Sequence, residues 1–292
     1  MGHTSYSHGD RSVRAASAGY YTKSIDDVFI QNKKRVIHES MKPEKALLRE
    51  ARDSDTHPAS VPIIIALDLT GSMGGIPHYL VKDGLPNTVA SIIQRGVLDP
   101  AILFIGVGDH ECDRHPLQVG QFESGDAELD LWLTRTYLEG GGGGNEGESY
   151  LLAWYFASLH TVTDAWDKRK EKGFLFTIGD EPCLRSLPHQ AVTEIMDTPS
   201  QKSYSDKELL ALAQEKYNVY HLHVMEGSAG HRSLGYWKEL LGDHCIVIEN
   251  KEDIGKKIAD IVTSNSNHSS VTAPNVHTVV DTTSSPSTEI LL

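Results

Sequence analysis

Ile63-Ile64-Ile65-Ala66-Leu67-Asp68-Leu69-Thr70-Gly71-Ser72-Met73-Gly74-Gly75 is the stretch that decides the fold. Its first five residues are a continuous apolar run rich in β-branched isoleucine, which reads as a strand buried on both faces, as in a parallel sheet. Asp68, Thr70 and Ser72 then present a carboxylate and two hydroxyls at alternate positions, while Gly71, Gly74 and Gly75 let the turn fold back tightly. An oxygen cluster at the carboxyl end of a buried strand lies where open α/β sheets bind ligands. Hard cations such as Mg²⁺ need such oxygens, and one or two carboxylates with hydroxyls and water suffice. A plain strand-to-helix turn capped by Asp or Ser would use the same residue types.

Working outward, residues 101–107 and 174–178 are further buried runs. The first ends at Gly108-Asp109 and the second at Gly179-Asp180-Glu181, so each again brings a carboxylate to the carboxyl edge. Residues 117–122 alternate as a short antiparallel edge strand would, and residues 219–224 and 245–248 read as two more strands. Between them fall helical segments at residues 77–96, with Pro86 set to kink or split it, at 126–137, at 205–216 with a capping box, at 234–241 and at 252–262. Residues 150–160 are apolar nearly all round, which fits a helix buried against the sheet. Its amino end is expected to face the Asp68 edge, because crossover helices return antiparallel to their strands. This βαβα alternation is what a doubly wound parallel sheet produces.

The spelling Asp68-Leu-Thr-Gly-Ser-Met resembles the metal-ion-dependent adhesion site (MIDAS) of von Willebrand factor type A (VWA) domains, whose usual motif is Asp-x-Ser-x-Ser. Two more loops match in order. Gly142-Gly143-Gly144-Asn145-Glu146-Gly147-Glu148 looks like the Gly-Gly-Gly-Asp-x-Pro-Glu loop of a bacterial or phage branch, with Asn145 at the ligand position and Glu148 at the later Glu. Asp180 resembles the third MIDAS Asp. The resemblance implies a Rossmann-like, mostly parallel six-stranded sheet with one antiparallel edge strand and helices on both faces. It also implies Mg²⁺ or Mn²⁺ held by Asp68, Thr70, Ser72, Asn145 and Asp180, with Gly71, Asp109, Glu148 and Glu181 at the rim.

The chain has 292 residues, 39% hydrophobic and 23% charged, an ordinary globular composition. No apolar run is long enough to span a membrane. Residues 1–60 are nearly balanced in charge, so the remainder carries the whole excess of the −13 net charge. A domain that acidic repels phosphate backbones and argues against nucleic acid, but it suits a cation. We read residues 1–60 as an arm, with a short strand at 25–30, a helix from Pro43 to Asp53 and surface histidines at His3, His8, His38 and His57. Residues 61–263 are the unit that the resemblance to VWA domains covers, and residues 264–292, rich in Ser and Thr, are expected to be a disordered tail. Cys112, Cys183 and Cys245 have no zinc-like spacing, and with no secretory signal they point to reduced thiols in the cytoplasm.

The leading expectation is a binding module and not an enzyme, whose ion takes an acidic side chain from a partner protein. The alternative is a metal-assisted hydrolase in which Glu148, Glu181 or Asp109 acts as base on a metal-bound water. Phosphate binding by the Gly71–Gly75 turn is weak, since no Gly-Lys-Ser/Thr or Gly-x-Gly-x-x-Gly occurs. Residues 109–115 are dense in potential ligands, but structural hydrogen bonds are the reading favoured there over a second ion.

Overall fold

The computed structural model describes residues 4–140 and 145–269. Six strands form the central sheet: β1 Val61–Asp68, β2 Pro100–Val107, β3 Leu117–Val119, β4 Gly173–Gly179, β5 Tyr217–Val224 and β6 Cys245–Ile248. Their order is β6-β5-β4-β1-β2-β3, with every pair parallel except the antiparallel β2–β3 edge. The principal helices are α1 His8–Ala18, α2 Leu85–Gln94, α3 Asp126–Thr134, α4 Tyr150–Leu159, α5 Asp206–Lys216, α6 Gly230–Leu241 and α7 Asp253–Ser269.

Alternate residues of the isoleucine run feed opposite faces of the sheet, as the two-residue strand period requires. Ile64 and Ala66 join Leu103, Ile105 and Leu175 beneath α4, α5 and Trp237. Ile63, Ile65 and Leu67 join Phe104, Phe176 and Ile178 against Val89 and Ile92 of α2 and Ile254 and Ile258 of α7. Helices thus cover both faces, and residues 151–157 of α4 are buried all round. The Ser205–Glu208 capping box is present at the start of α5. Pro86 does split its segment: a helical turn Ile76–Tyr79 and a π-helical stretch Leu80–Gly84 precede α2, whose first turn accepts the missing N–H.

The arm departs from expectation. The strand anticipated at 25–30 is instead two short helices, Ile25–Val28 and Ile30–Lys34, because Ser24 binds Asp27 at 2.7 Å and opens an acidic first turn. The helix expected from Pro43 is one 3₁₀ turn, Pro43–Lys45, followed by a strand, Arg49–Ala51, that pairs parallel with Thr161–Thr163. Tertiary pairing overrides helix propensity there, and Arg49 Nε is anchored on the Gly120 carbonyl at 2.6 Å. His57 is 3% exposed, between Asp99 and the Thr4 carbonyl, and so is not a surface residue. Helix α1 was not anticipated, although Ser7 caps it and Gly19, at φ 72°, ends it. Helix α7 continues to Ser269, into the segment assigned to the tail; residues 270–292 lie outside the described residues.

Helix α1 is fastened to α3 by buried charge. Asp130, 4% exposed, accepts from Arg11 Nε at 3.1 Å and Arg14 Nε at 3.3 Å, while Arg14 also pairs with Asp126. Burial pushes the Asp130 carboxyl up from its usual range, and the two guanidinium groups oppose that rise. Removing one partner of such a pair leaves a buried charge uncompensated. Asp130→Asn is therefore expected to destabilise the protein by about 3 kcal/mol in urea unfolding and to expose the arm to protease.

Candidate functional site

Neighbouring parallel strands β1 and β4 deliver two carboxylates to one rim. Leu67 is in register with Ile178, so Asp68 closes β1 beside the point where Asp180 follows β4. Both are 0% exposed. After Asp68 the chain makes a single 3₁₀ turn, Gly71–Met73, with Gly74 at φ 51°, and this turn brings Thr70 and Ser72 back over the rim.

Hydrogen bonds join these residues in one chain. Asp68 Oδ1 accepts the Thr70 amide at 2.9 Å and the Thr70 hydroxyl at 2.6 Å. Ser72 Oγ donates to Asp180 Oδ1 at 2.7 Å, and Thr70 Oγ1 lies 3.3 Å from Ser72 Oγ. Each hydroxyl has one proton to give, and in this arrangement both go to carboxylates. Thr70 and Ser72 then meet each other with lone pairs only, so between them the two hydroxyls offer acceptors and no donor.

Two further elements brace it. Tyr150, first residue of α4, donates its hydroxyl to Asp68 Oδ2 at 2.7 Å. The Ala229 amide, at the start of α6, donates to Asp180 Oδ2 at 2.9 Å, and the Ser228 amide reaches the Ser72 carbonyl at 3.3 Å. A Cβ on Gly179 would overlap the Tyr150 hydroxyl and stand 2.9 Å from Asp68 Oδ2; one on Gly227 would overlap the Asp180 carboxylate. Beneath the site His221 stacks on Trp237, with ring centroids 3.5 Å apart, and its Nε2 lies 3.3 Å from His223 Nδ1. Burial holds both imidazoles below their usual range, hence neutral, and His223 Nε2 reaches the Gly230 carbonyl at 2.7 Å.

The site concentrates uncompensated negative charge. Among the described residues no Lys or Arg pairs with Asp68, Asp180, Glu148 or Asp109, although these are at most 5% exposed. Burial pushes the Asp68 carboxyl up, and Asp180 adds to the rise. Glu148 is pushed up chiefly by burial and next by Asp68, Asp109 and Asp113. Its Oε2 is buried with no hydrogen-bond partner, as is Oε2 of Glu181. Burying anions without partners costs several kcal/mol each, so such a site binds protons or calls for a cation.

The expected residues do not all converge. Asp68, Thr70, Ser72 and Asp180 form the bonded chain, and Gly71 lies in its turn. Asn145 instead donates from Nδ2 to Glu111 Oε2 at 2.8 Å. It is Glu148 that comes within reach of Thr70 and Asp68. Its backbone is pinned between the Pro182 carbonyl and the Leu184 amide, each at 2.9 Å, which turns the side chain into the site. The glycines 141–144 lie outside the described residues. Asp109 folds its own loop, accepting the Glu111 amide at 2.8 Å, and Glu181 accepts from Arg232 at 2.5 Å. Among the described residues no three His, Cys, Asp or Glu side chains group as a metal cluster, so hydroxyls are indispensable to any cation held here.

Tyr150, Gly179, Gly227, Ala229 and Arg232 were missed from the sequence. Tyr150 was read as core, yet its place at the amino end of a helix facing the Asp68 rim was the available signal. Tyr150→Phe is expected to cost about 1.5 kcal/mol in urea unfolding, since Asp68 loses a buried donor.

No protein-family model and no curated protein matches the chain. Among solved structures it is similar to the pilus adhesin SpaC of Lactobacillus rhamnosus GG in its open conformation, with a TM-score of 0.50 and 11% identity. That match covers 74% of this chain and 31% of the adhesin. Proximal thread matrix protein 1 of the mussel byssus, solved with a zinc-occupied MIDAS motif, aligns at a TM-score of 0.46 and 8% identity, over 74% of this chain and 48% of its own. The chain thus spans about a third of the adhesin's length and about half of the matrix protein's. Among the described residues no helix is long and apolar enough to cross a membrane. The mostly parallel six-stranded sheet, its antiparallel edge and the likeness to the adhesin identify the architecture as a VWA-type α/β fold.

Proposed function

We propose that Asp68, Thr70, Ser72 and Asp180 hold one Mg²⁺ or Mn²⁺ as a MIDAS, with Glu148 and Asn145 at its margin, and that the chain is a module binding an acidic side chain of another protein. The observation that carries this reading is the pair of hydroxyls between two buried carboxylates: both protons are given to the carboxylates, so the lone pairs of Thr70 and Ser72 face each other as a cation would need them. All-oxygen ligands favour a hard ion over one that prefers sulfur or imidazole. When bound, the ion supplies a positive charge with an exchangeable position at the sheet rim.

This chain's residues keep that charge usable. The acids that crowd the loops in the sequence compete less than their number suggests, because Glu181 is matched by Arg232, and Glu146 is exposed. Tyr150 and the Ala229 amide fix the two carboxylates so that neither reorients on binding. Thr70 and Ser72 donate to the carboxylates that would hold the ion, and among the described residues neither hydroxyl bonds to a histidine, which favours binding over turnover.

Water-proton relaxation tests the reading directly. Mn²⁺ added to chelator-stripped protein should give enhanced relaxation that a blocked aspartyl peptide lowers by displacing metal-bound water. Asp180→Asn should weaken Mn²⁺ uptake at least about tenfold. Absence of enhancement in the wild type sinks the proposal, and metal-dependent turnover of a generic ester or phosphodiester would put the hydrolase reading in its place.

A further inference from the structure

Among the described residues Arg232 is the one guanidinium that the fold sets against this site. It lies in the first turn of α6, three residues after the Ala229 amide that caps Asp180, and its charge is favoured chiefly by Glu181 and further by Glu146 and Asp180. Its side chain is 55% exposed, whereas that of its anchor, Glu181, is 11% exposed. The anchor is single: Arg232 Nη2 donates to Glu181 Oε1 at 2.5 Å, while Glu181 Oε2 is buried with no partner. A guanidinium carries five N–H groups in a fixed fork, so a one-point pair leaves most of them for another acceptor. Among the described residues Glu181 is the only acid in ion-pair contact with Arg232.

The surroundings say what that acceptor is. Glu146 and Glu111 are exposed along the same rim, and a carboxylate approaching the ion would meet their repulsion. Arg232 offsets it on the α6 side, where the helix amino end adds positive charge of its own. A carboxylate has two oxygens, and the forked geometry of arginine suits the one that an ion leaves free.

Resting on the MIDAS reading above, we infer that Arg232 is a specificity-determining second anchor: the partner's Asp or Glu is held jointly by the bound ion and by the free edge of the Arg232 guanidinium. Glu181 is then a positioning residue that keeps the guanidinium beside the mouth of the site. The module selects a carboxylate side chain over a neutral amide or hydroxyl because a carboxylate presents two anionic oxygens, one to each positive group.

The test uses the full chain, Mn²⁺ and a blocked aspartyl peptide, with its asparaginyl counterpart as control. Arg232→Met is expected to keep Mn²⁺ affinity within about twofold of wild type and to weaken the aspartyl peptide about tenfold, the worth of one charge-assisted hydrogen bond. Arg232→Lys should recover part of that loss, as charge without the fork. Because Arg232→Met strands Glu181, the double variant Glu181→Gln with Arg232→Met repeats the test without an uncompensated carboxylate. Unchanged peptide affinity in both variants, or Mn²⁺ affinity falling in parallel with it, overturns the inference. Failure of the wild type to take up Mn²⁺ removes the MIDAS reading as well, and the relaxation signal distinguishes the two results.

Discussion

Stripped of divalent ions and then given Mg²⁺ or Mn²⁺ at about a hundred times its Kd, the protein should gain about 2.7 kcal/mol of stability. For a unit of this size that is a rise in Tm of roughly 5–10 °C. The gain follows from linkage, because the rim that binds the ion exists only when β1 and β4 are paired. Asp68→Asn should abolish it while leaving the ion-free protein at least as stable as ion-free wild type, since the substitution removes an uncompensated buried charge, keeps Oδ1 as the acceptor for Thr70 and sets an amide donor against the Tyr150 hydroxyl, which can turn to accept. The effect has a sign in pH. Asp68 and Glu148 are held above the ordinary carboxylate range when folded, so the folded state binds more protons than the unfolded one and ion-free stability falls as pH rises above about 4. The ion competes with those protons, so its stabilisation should grow from about pH 5 to pH 8. Thermal melts in chelator and in metal at both pH values check this, and an ion effect that shrinks with rising pH would contradict it.

Gly179→Ala should be the most damaging single-methyl change at the site. Its Cβ would fall on the Tyr150 hydroxyl and within 2.9 Å of Asp68 Oδ2, and none of these groups has room to retreat, because Tyr150 and Asp68 are 0% exposed. Overpacking of a closed interior costs about 3 kcal/mol, and here the displaced groups are the ones that brace the carboxylates. Loss of the ion response should accompany the loss of stability, read by urea unfolding and by Mn²⁺ relaxation. Gly75→Ala, whose Cβ would meet nothing within 4 Å, is the matched control and should stay within about 0.5 kcal/mol of wild type. Equal effects from the two substitutions would show that the crowding around Gly179 does not constrain the site.

The interior of the fold was legible because the isoleucine run, the two other long buried strands and α4 carry patterns that burial alone imposes. The arm was not, since residues 25–34 and 43–51 are short, and what they become depends on distant partners: residues 49–51 are a strand only because residues 161–163 lie alongside. Site residues divide in the same way. Asp68, Thr70 and Ser72 are close in sequence and could be recognised by spelling, and Asp180 by its place after a buried strand. Asn145 and Glu148 sit on one loop, and no spacing rule says which of them turns inward; the backbone bonds of Glu148 to Pro182 and Leu184 decide it.

By itself, then, the sequence determined which segments are buried, in what order they alternate, and that oxygen ligands stand at the ends of particular strands, because those properties follow from the local period of apolar residues and from side-chain chemistry. Tertiary structure alone decided that Tyr150 and Ala229 brace the two carboxylates, that Gly179 and Gly227 make room for them, and that Arg232 stands at the rim. Those contacts join positions far apart in the chain, and their geometry is set by strand register and helix placement rather than by anything a neighbouring residue can signal.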